Sequence, residues 1–129
     1  MPARAAAGGV RSDVETYEVL RRLAIRDDRL IQRVLAGAED EPAGPLDAKT
    51  VALARLASLV ALDAAAPMYL SVVEEADAAG ASDAELVACL LRVMPAVGVP
   101  RVVSAAPRLA LALGYDVGAA LEAVDPTLD

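Results

Sequence analysis

Apolar side chains recur along this chain three and four positions apart, in runs broken by proline, glycine and acidic turns. No stretch alternates with a period of two for long enough to build a sheet, so the pattern predicts an all-α protein. Ser12 followed by Glu15 matches a capping box, and Val14, Tyr17, Leu20, Leu23 and Ala24 follow at helical spacing, placing the start of a first helix at Ser12. Asp27 and Asp28 interrupt the stripe before Leu30, Ile31, Val34 and Leu35 resume it, which favours two helices with a corner over one long helix. Gly37, Glu39, Asp40, Glu41, Pro42, Gly44 and Pro45 then make an acidic, turn-rich loop.

Asp47 is suited to cap a helix running to about Leu62, and Val51, Leu53, Leu56, Leu59, Val60 and Leu62 are apolar on more than one of its faces. Such a helix is expected to be buried nearly all round. Pro67 fits the first turn of a helix over 68–79 that Gly80 terminates in a left-handed conformation. Ser82 and Glu85 form a second capping box, opening a helix that must end or bend before Pro95. Gly98 and Pro100 mark the next corner, and the helical pattern resumes to Leu113 with a kink or restart predicted at Pro107. Gly114 ends it, and Asp116 caps a short last helix through Val124. The expectation is a single compact domain of six to seven helices, with a flexible tail over 1–11, a helical arm and acidic loop over 12–45, and a core over 46–125.

Composition narrows the chemistry. The 129 residues are 57% hydrophobic, yet include no Phe, no Trp and three tyrosines, so the core must be aliphatic. Twelve basic residues against nineteen acidic ones give a net charge of −7, which argues against nucleic acid as a partner. The absence of histidine removes Ser-His and Cys-His nucleophile systems and imidazole metal sites together. Cys89 stands alone, so no intrachain disulfide forms, and a reducing, cytoplasmic location is expected. The longest uncharged stretch, residues 64–73, is far short of the ~20 residues that span a bilayer, and the first ten residues lack the apolar segment of a signal peptide. No membrane association, cofactor or metal is expected.

Residues 46–116 nevertheless carry a recognisable set of motifs: Leu46-Asp47-Ala48-Lys49-Thr50, the run Ala-Gly-Ala-Ser-Asp-Ala-Glu-Leu over 79–86, and Gly98-Val99-Pro100. This stretch resembles the carboxymuconolactone decarboxylase family, which includes the alkylhydroperoxidase D-like proteins. The resemblance implies an alkylhydroperoxidase D-like helical fold and assembly of the chain with itself, from dimer to hexamer, with sites near subunit contacts. Redox-active members carry a glutamate, a Cys-x-x-Cys pair and a histidine. Counting back from Gly80 places those positions at Leu53, Ala65, Met68 and Val72, all of them apolar here. Thiol peroxidase chemistry needs a thiolate, a resolving thiol and a proton relay, and none can be assembled.

Two functional expectations follow. In the first, a small organic molecule binds an apolar helical pocket lined by Leu53, Ala65, Met68, Tyr69 and Val72. In the second, a cofactor-free lyase or isomerase acts on a small carboxylic acid or lactone, with Tyr69, Asp63 and Arg101 as candidate catalytic groups and Arg55 and Glu74 nearby. A structural oligomer without a ligand is the third reading. The plainer roles for the same residues are a packed ring with a wet hydroxyl for Tyr69, a cap carboxylate for Asp63, a structural arginine for Arg101 and a small buried hydrophobe for Cys89. Glu74, Glu75 and Asp77 do not share one helical face, which favours a solvated surface over a cation site.

Overall fold

A computed structural model describes residues 9–37 and 45–116. Among these residues the chain is entirely helical: α1 (Gly9–Ala24), α2 (Asp28–Leu35), α3 (Ala48–Leu62), α4 (Ala66–Ala78), α5 (Asp83–Val97) and α6 (Val99–Leu113). It divides into two compact units, Met1–Pro45 and Leu46–Asp129.

In the first unit, α1 and α2 are separate helices. Arg26 adopts a left-handed conformation (φ 57°), and the Asp27 carboxylate accepts from the Arg29 N–H at 3.0 Å to cap α2. Helix α1 starts at Gly9 rather than Ser12, so residues 9–11, expected in the tail, are helical. Val10 and Arg11 contain nothing that would stop the backbone ladder from extending backwards past the polar signal. Glu18 accepts from Arg21 at 2.9 Å and from Arg22 at 3.3 Å, and the Arg21 bond leads in lowering its pKa to about 2. Val14, Tyr17, Leu20 and Leu23 stand exposed along the helix.

In the second unit the helices form a ring. α3 packs against α4 and α5, α6 packs against the same two, and α3 meets α6 across the middle. Residues at three- and four-residue spacing supply the core: Ala52, Leu56 and Val60 from α3; Tyr69, Val72 and Ala76 from α4; Leu86 and Leu90 from α5; Val102, Ala105 and Leu109 from α6. The Asp47 carboxylate accepts from the Thr50 N–H at 2.7 Å, and both bonds of the Ser82–Glu85 capping box are made. Lys49 reaches Glu85 at 3.1 Å, tying the start of α3 to the start of α5.

Three expectations are corrected here. α3 is not buried all round: Ala54, Ser58, Ala61 and Leu62 face solvent. α5 does not end at Pro95 but runs on to Val97, and α6 does not restart at Pro107 but runs on to Leu113. Both prolines are exposed, so the carbonyl that loses its partner one turn earlier can turn to water instead of ending the helix. Helix α4 also begins slightly early, at Ala66 with Pro67 in its first turn. The helix proposed after Asp116 lies outside the described residues. Among the described residues, no helix is long and apolar enough to cross a membrane.

Candidate functional site

Three helices of the second unit end in the same hydrogen-bonded turn. After α4, Gly80 (φ 82°) lets Ala81 donate to the Ala76 carbonyl at 2.9 Å; after α6, Gly114 (φ 86°) lets Tyr115 donate to Ala110 at 2.9 Å. After α3 the left-handed position is held by Asp63 (φ 52°), and Ala64 donates to Leu59 at 3.0 Å. Aspartate tolerates that backbone better than most side chains, but less readily than glycine. The carboxylate is put to use: Arg108 Nη1 donates to Asp63 Oδ1 at 2.7 Å and to the Ala64 carbonyl at 3.0 Å, while Arg101 Nη1 lies 3.4 Å from Asp63 Oδ2. Two arginines seven residues apart on α6 thus pin the α3–α4 corner, leaving one net positive charge on the cluster.

Tyr69 is the neighbour of this cluster. Its ring is wholly buried, and its hydroxyl is the one buried side-chain oxygen or nitrogen without a hydrogen-bond partner among the described residues. Burial raises its pKa; Arg108 opposes that shift and Asp63 adds to it. The hydroxyl expected at a wet edge is therefore sealed, and in this arrangement it offers no proton to a molecule arriving from solvent. Of the three catalytic candidates, Asp63 and Arg101 are paired with each other and Tyr69 lies within electrostatic reach of Asp63.

The five residues predicted to line a pocket are dispersed. Tyr69 and Val72 belong to the core, Leu53 packs against it, and Ala65 and Met68 are exposed. Two open grooves lie instead along the seam of α4 and α6. One, of about 310 Å³, is lined by Ala66, Pro67, Leu70, Arg108, Leu111 and Ala112. The other, of about 260 Å³, is bordered by Val73, Glu74, Asp77, Asp83 and Leu113 and shares Leu70 and Ala112 with the first. Arg108 was missed as a candidate, although its seven-residue spacing from Arg101 places both on one face of a helix, two turns apart.

The thiol is quiet. Cys89 is half-buried, its Sγ donates to the Leu53 carbonyl at 3.5 Å, and burial raises its pKa. Among the described residues no group of three Cys, Asp or Glu side chains is placed to hold a metal ion, and Glu75 of the acidic trio pairs with Arg55. No protein-family model matches this chain, and no curated protein or solved structure matches it.

Proposed function

We propose that the chain is a self-associating helical protein that binds a small organic molecule without thiol chemistry. The observation that carries the reading is the outward face of α5 and α6. Val87, Leu91, Val99 and Val103 are 46%, 61%, 56% and 63% exposed. Their neighbours on that face include Ala84, Ala88, Pro95, Ala106 and Pro107, also exposed and also uncharged. The four large side chains alone leave on the order of 400 Å² of aliphatic surface, already a large patch for a lone chain. With the alanines and prolines added, the face approaches the roughly 800 Å² per partner of a stable interface.

A second copy suits this face for an electrostatic reason. Two chains of charge −7 repel wherever carboxylates oppose one another, and α4 carries Glu74 and Asp77 outward. The α5–α6 face carries the exposed Arg92 at its edge but no carboxylate among these residues, so two copies meet there without opposing carboxylates, in a self-complementary contact about a two-fold axis. The resemblance of residues 46–116 to carboxymuconolactone decarboxylases points the same way. The seam of α4 and α6 lies on another side of α6 and stays open for a ligand. Sedimentation velocity of the wild-type chain at low micromolar concentration is expected to give a dimer or larger assembly; a monomer persisting to high micromolar concentration would overturn the reading.

A further inference from the structure

We infer that the cleft between the last turn of α1 and the start of α2 binds a phosphomonoester, its phosphoryl group held between the guanidinium groups of Arg22 and Arg29. The site lies wholly in the first unit, so the inference goes beyond the function proposed above and does not rest on it. Arg21, Arg22, Arg26, Arg29 and Arg33 gather five of the chain's eleven arginines into residues 21–33, in a protein whose net charge is −7. One cleft of about 480 Å³ is lined by Arg22, Asp27, Arg29 and Arg33. Leu30, only 5% exposed, fixes the phase of α2, and Arg29 and Arg33, four residues apart, then fall on the same side of that helix.

One carboxylate brings the two arginines together. Asp27 Oδ1 accepts from the Arg29 N–H at 3.0 Å, and Asp27 Oδ2 lies 4.0 Å from Arg22 Nε. The N-terminus of α2 is thereby already capped, so the attraction for an anion comes from side chains. Glu18 is shared between Arg21 and Arg22, meeting Arg22 at Nε as well, at 3.3 Å. Both described contacts of Arg22 therefore use Nε and leave its two Nη groups to donate elsewhere, while the Arg29 guanidinium makes no hydrogen bond or ion pair among the described residues. With Arg33 set aside, Arg21, Arg22 and Arg29 still outnumber Glu18 and Asp27. A carboxylate has two oxygens, which one guanidinium fork satisfies; a phosphoryl group has three, enough to bridge forks that come from two helices. A long polyanion such as nucleic acid is disfavoured by the acidic remainder of the chain, and a small phosphomonoester keeps its charge within the cleft.

Isothermal titration of the full chain with glycerol 3-phosphate and with glycerate tests this, beside flotation with phosphatidylcholine vesicles that contain phosphatidic acid, a lipid whose headgroup is itself a phosphomonoester. The phosphate ester is expected to bind about tenfold or more tightly than the carboxylate, and Arg29→Gln to weaken it by about tenfold while the circular dichroism signal of the helices is retained. Arg29→Lys, which keeps the charge and loses the fork, should fall between the two. Arg26→Gln makes the same change of charge in the same segment but outside the cleft, and should leave the affinity within about twofold. Binding of glycerol 3-phosphate with vesicles ignored assigns the ester to a soluble metabolite; vesicles bound through Arg29 assign it to a lipid headgroup, and either result supports the inference. Equal affinity for ester and carboxylate, equal losses with Arg26→Gln and Arg29→Gln, or no binding of either ester or vesicles overturns it. Self-association of the wild-type chain is unaffected by any of these outcomes, so the function proposed above stands or falls separately.

Discussion

Helix α4 and the α5–α6 pair do the same work inwards and opposite things outwards. Tyr69, Val72 and Ala76 enter the core from α4 much as Leu86, Leu90, Val102, Ala105 and Leu109 do from the other two helices. On its outer side α4 mixes Ser71, Glu74 and Asp77 with the exposed Pro67 and Leu70, so carboxylates and hydrocarbon share that face. The outer side of α5 and α6 presents mainly valine, leucine, alanine and proline, with Arg92 at its edge and no carboxylate among them. Core formation explains one face of each helix and no more, so the hydrocarbon on the other face reports what that face meets.

The largest expected effect shows that both faces rest on one core. Leu86→Ala removes a side chain that is 2% exposed, and urea denaturation should show a loss of about 2–5 kcal/mol. An equal loss for Leu91→Ala, on the outward side of the same helix, would break the distinction between the faces. Next comes charge on the hydrocarbon face. Val103→Asp should weaken self-association by about 2 kcal/mol or more while leaving the helical content intact. Removing charge from α4 by Glu74→Gln should leave the assembly as it is, and dissociation by that change would assign the interface to the wrong helix.

A smaller effect belongs to the corner after α3. Asp63→Ala loses both arginine partners and keeps a β-carbon at φ 52° without the short polar side chain that suits aspartate to that backbone, costing about 1–2 kcal/mol by thermal denaturation. Asp63→Gly loses the same ion pairs but accepts the backbone, so it should be the milder change. If glycine is no better than alanine there, the backbone contributes nothing and the carboxylate alone matters. The smallest effect is at Glu85, whose pKa is lowered first by the Ser82 N–H and then by Lys49. A depressed folded-state pKa stabilises above the unfolded carboxylate range near ~4.3 and ceases to do so as pH falls through the folded value. Glu85→Gln should therefore lower Tm at neutral pH, with the difference from wild type shrinking in acid. A difference independent of pH would contradict this.

Much of the fold was legible before the structure because helix ends are written locally. Asp47, the Ser82–Glu85 box, Gly80 and Gly114 each specify a cap through bonds to residues at most five positions away. The N-terminal start at Gly9 and the passage of α5 and α6 through proline were not legible, because exposure decides whether a backbone group can turn to water. The candidate site was legible only in pieces. Asp63 and Arg101 are 38 positions apart in sequence yet 3.4 Å apart in space, a closeness fixed by the ring of helices. Leu53, Ala65, Met68 and Val72 belong to one resembling motif but not to one place in the fold: Met68 and Val72 share a face of α4, yet Val72 lies mid-helix in the core while Met68, in the first turn, stays exposed.

Sedimentation equilibrium on the wild type, Val103→Asp and Ser71→Asp at matched low micromolar concentrations tests the central claim most directly. An acidic residue is added to the α5–α6 face in one variant and to the α4 face in the other, so net charge changes equally and only location differs. The wild type and Ser71→Asp should sediment as the same assembly, and Val103→Asp as a folded monomer. A monomeric wild type, or an assembly that survives Val103→Asp and dissociates with Ser71→Asp, would contradict self-association through the hydrocarbon face of α5 and α6.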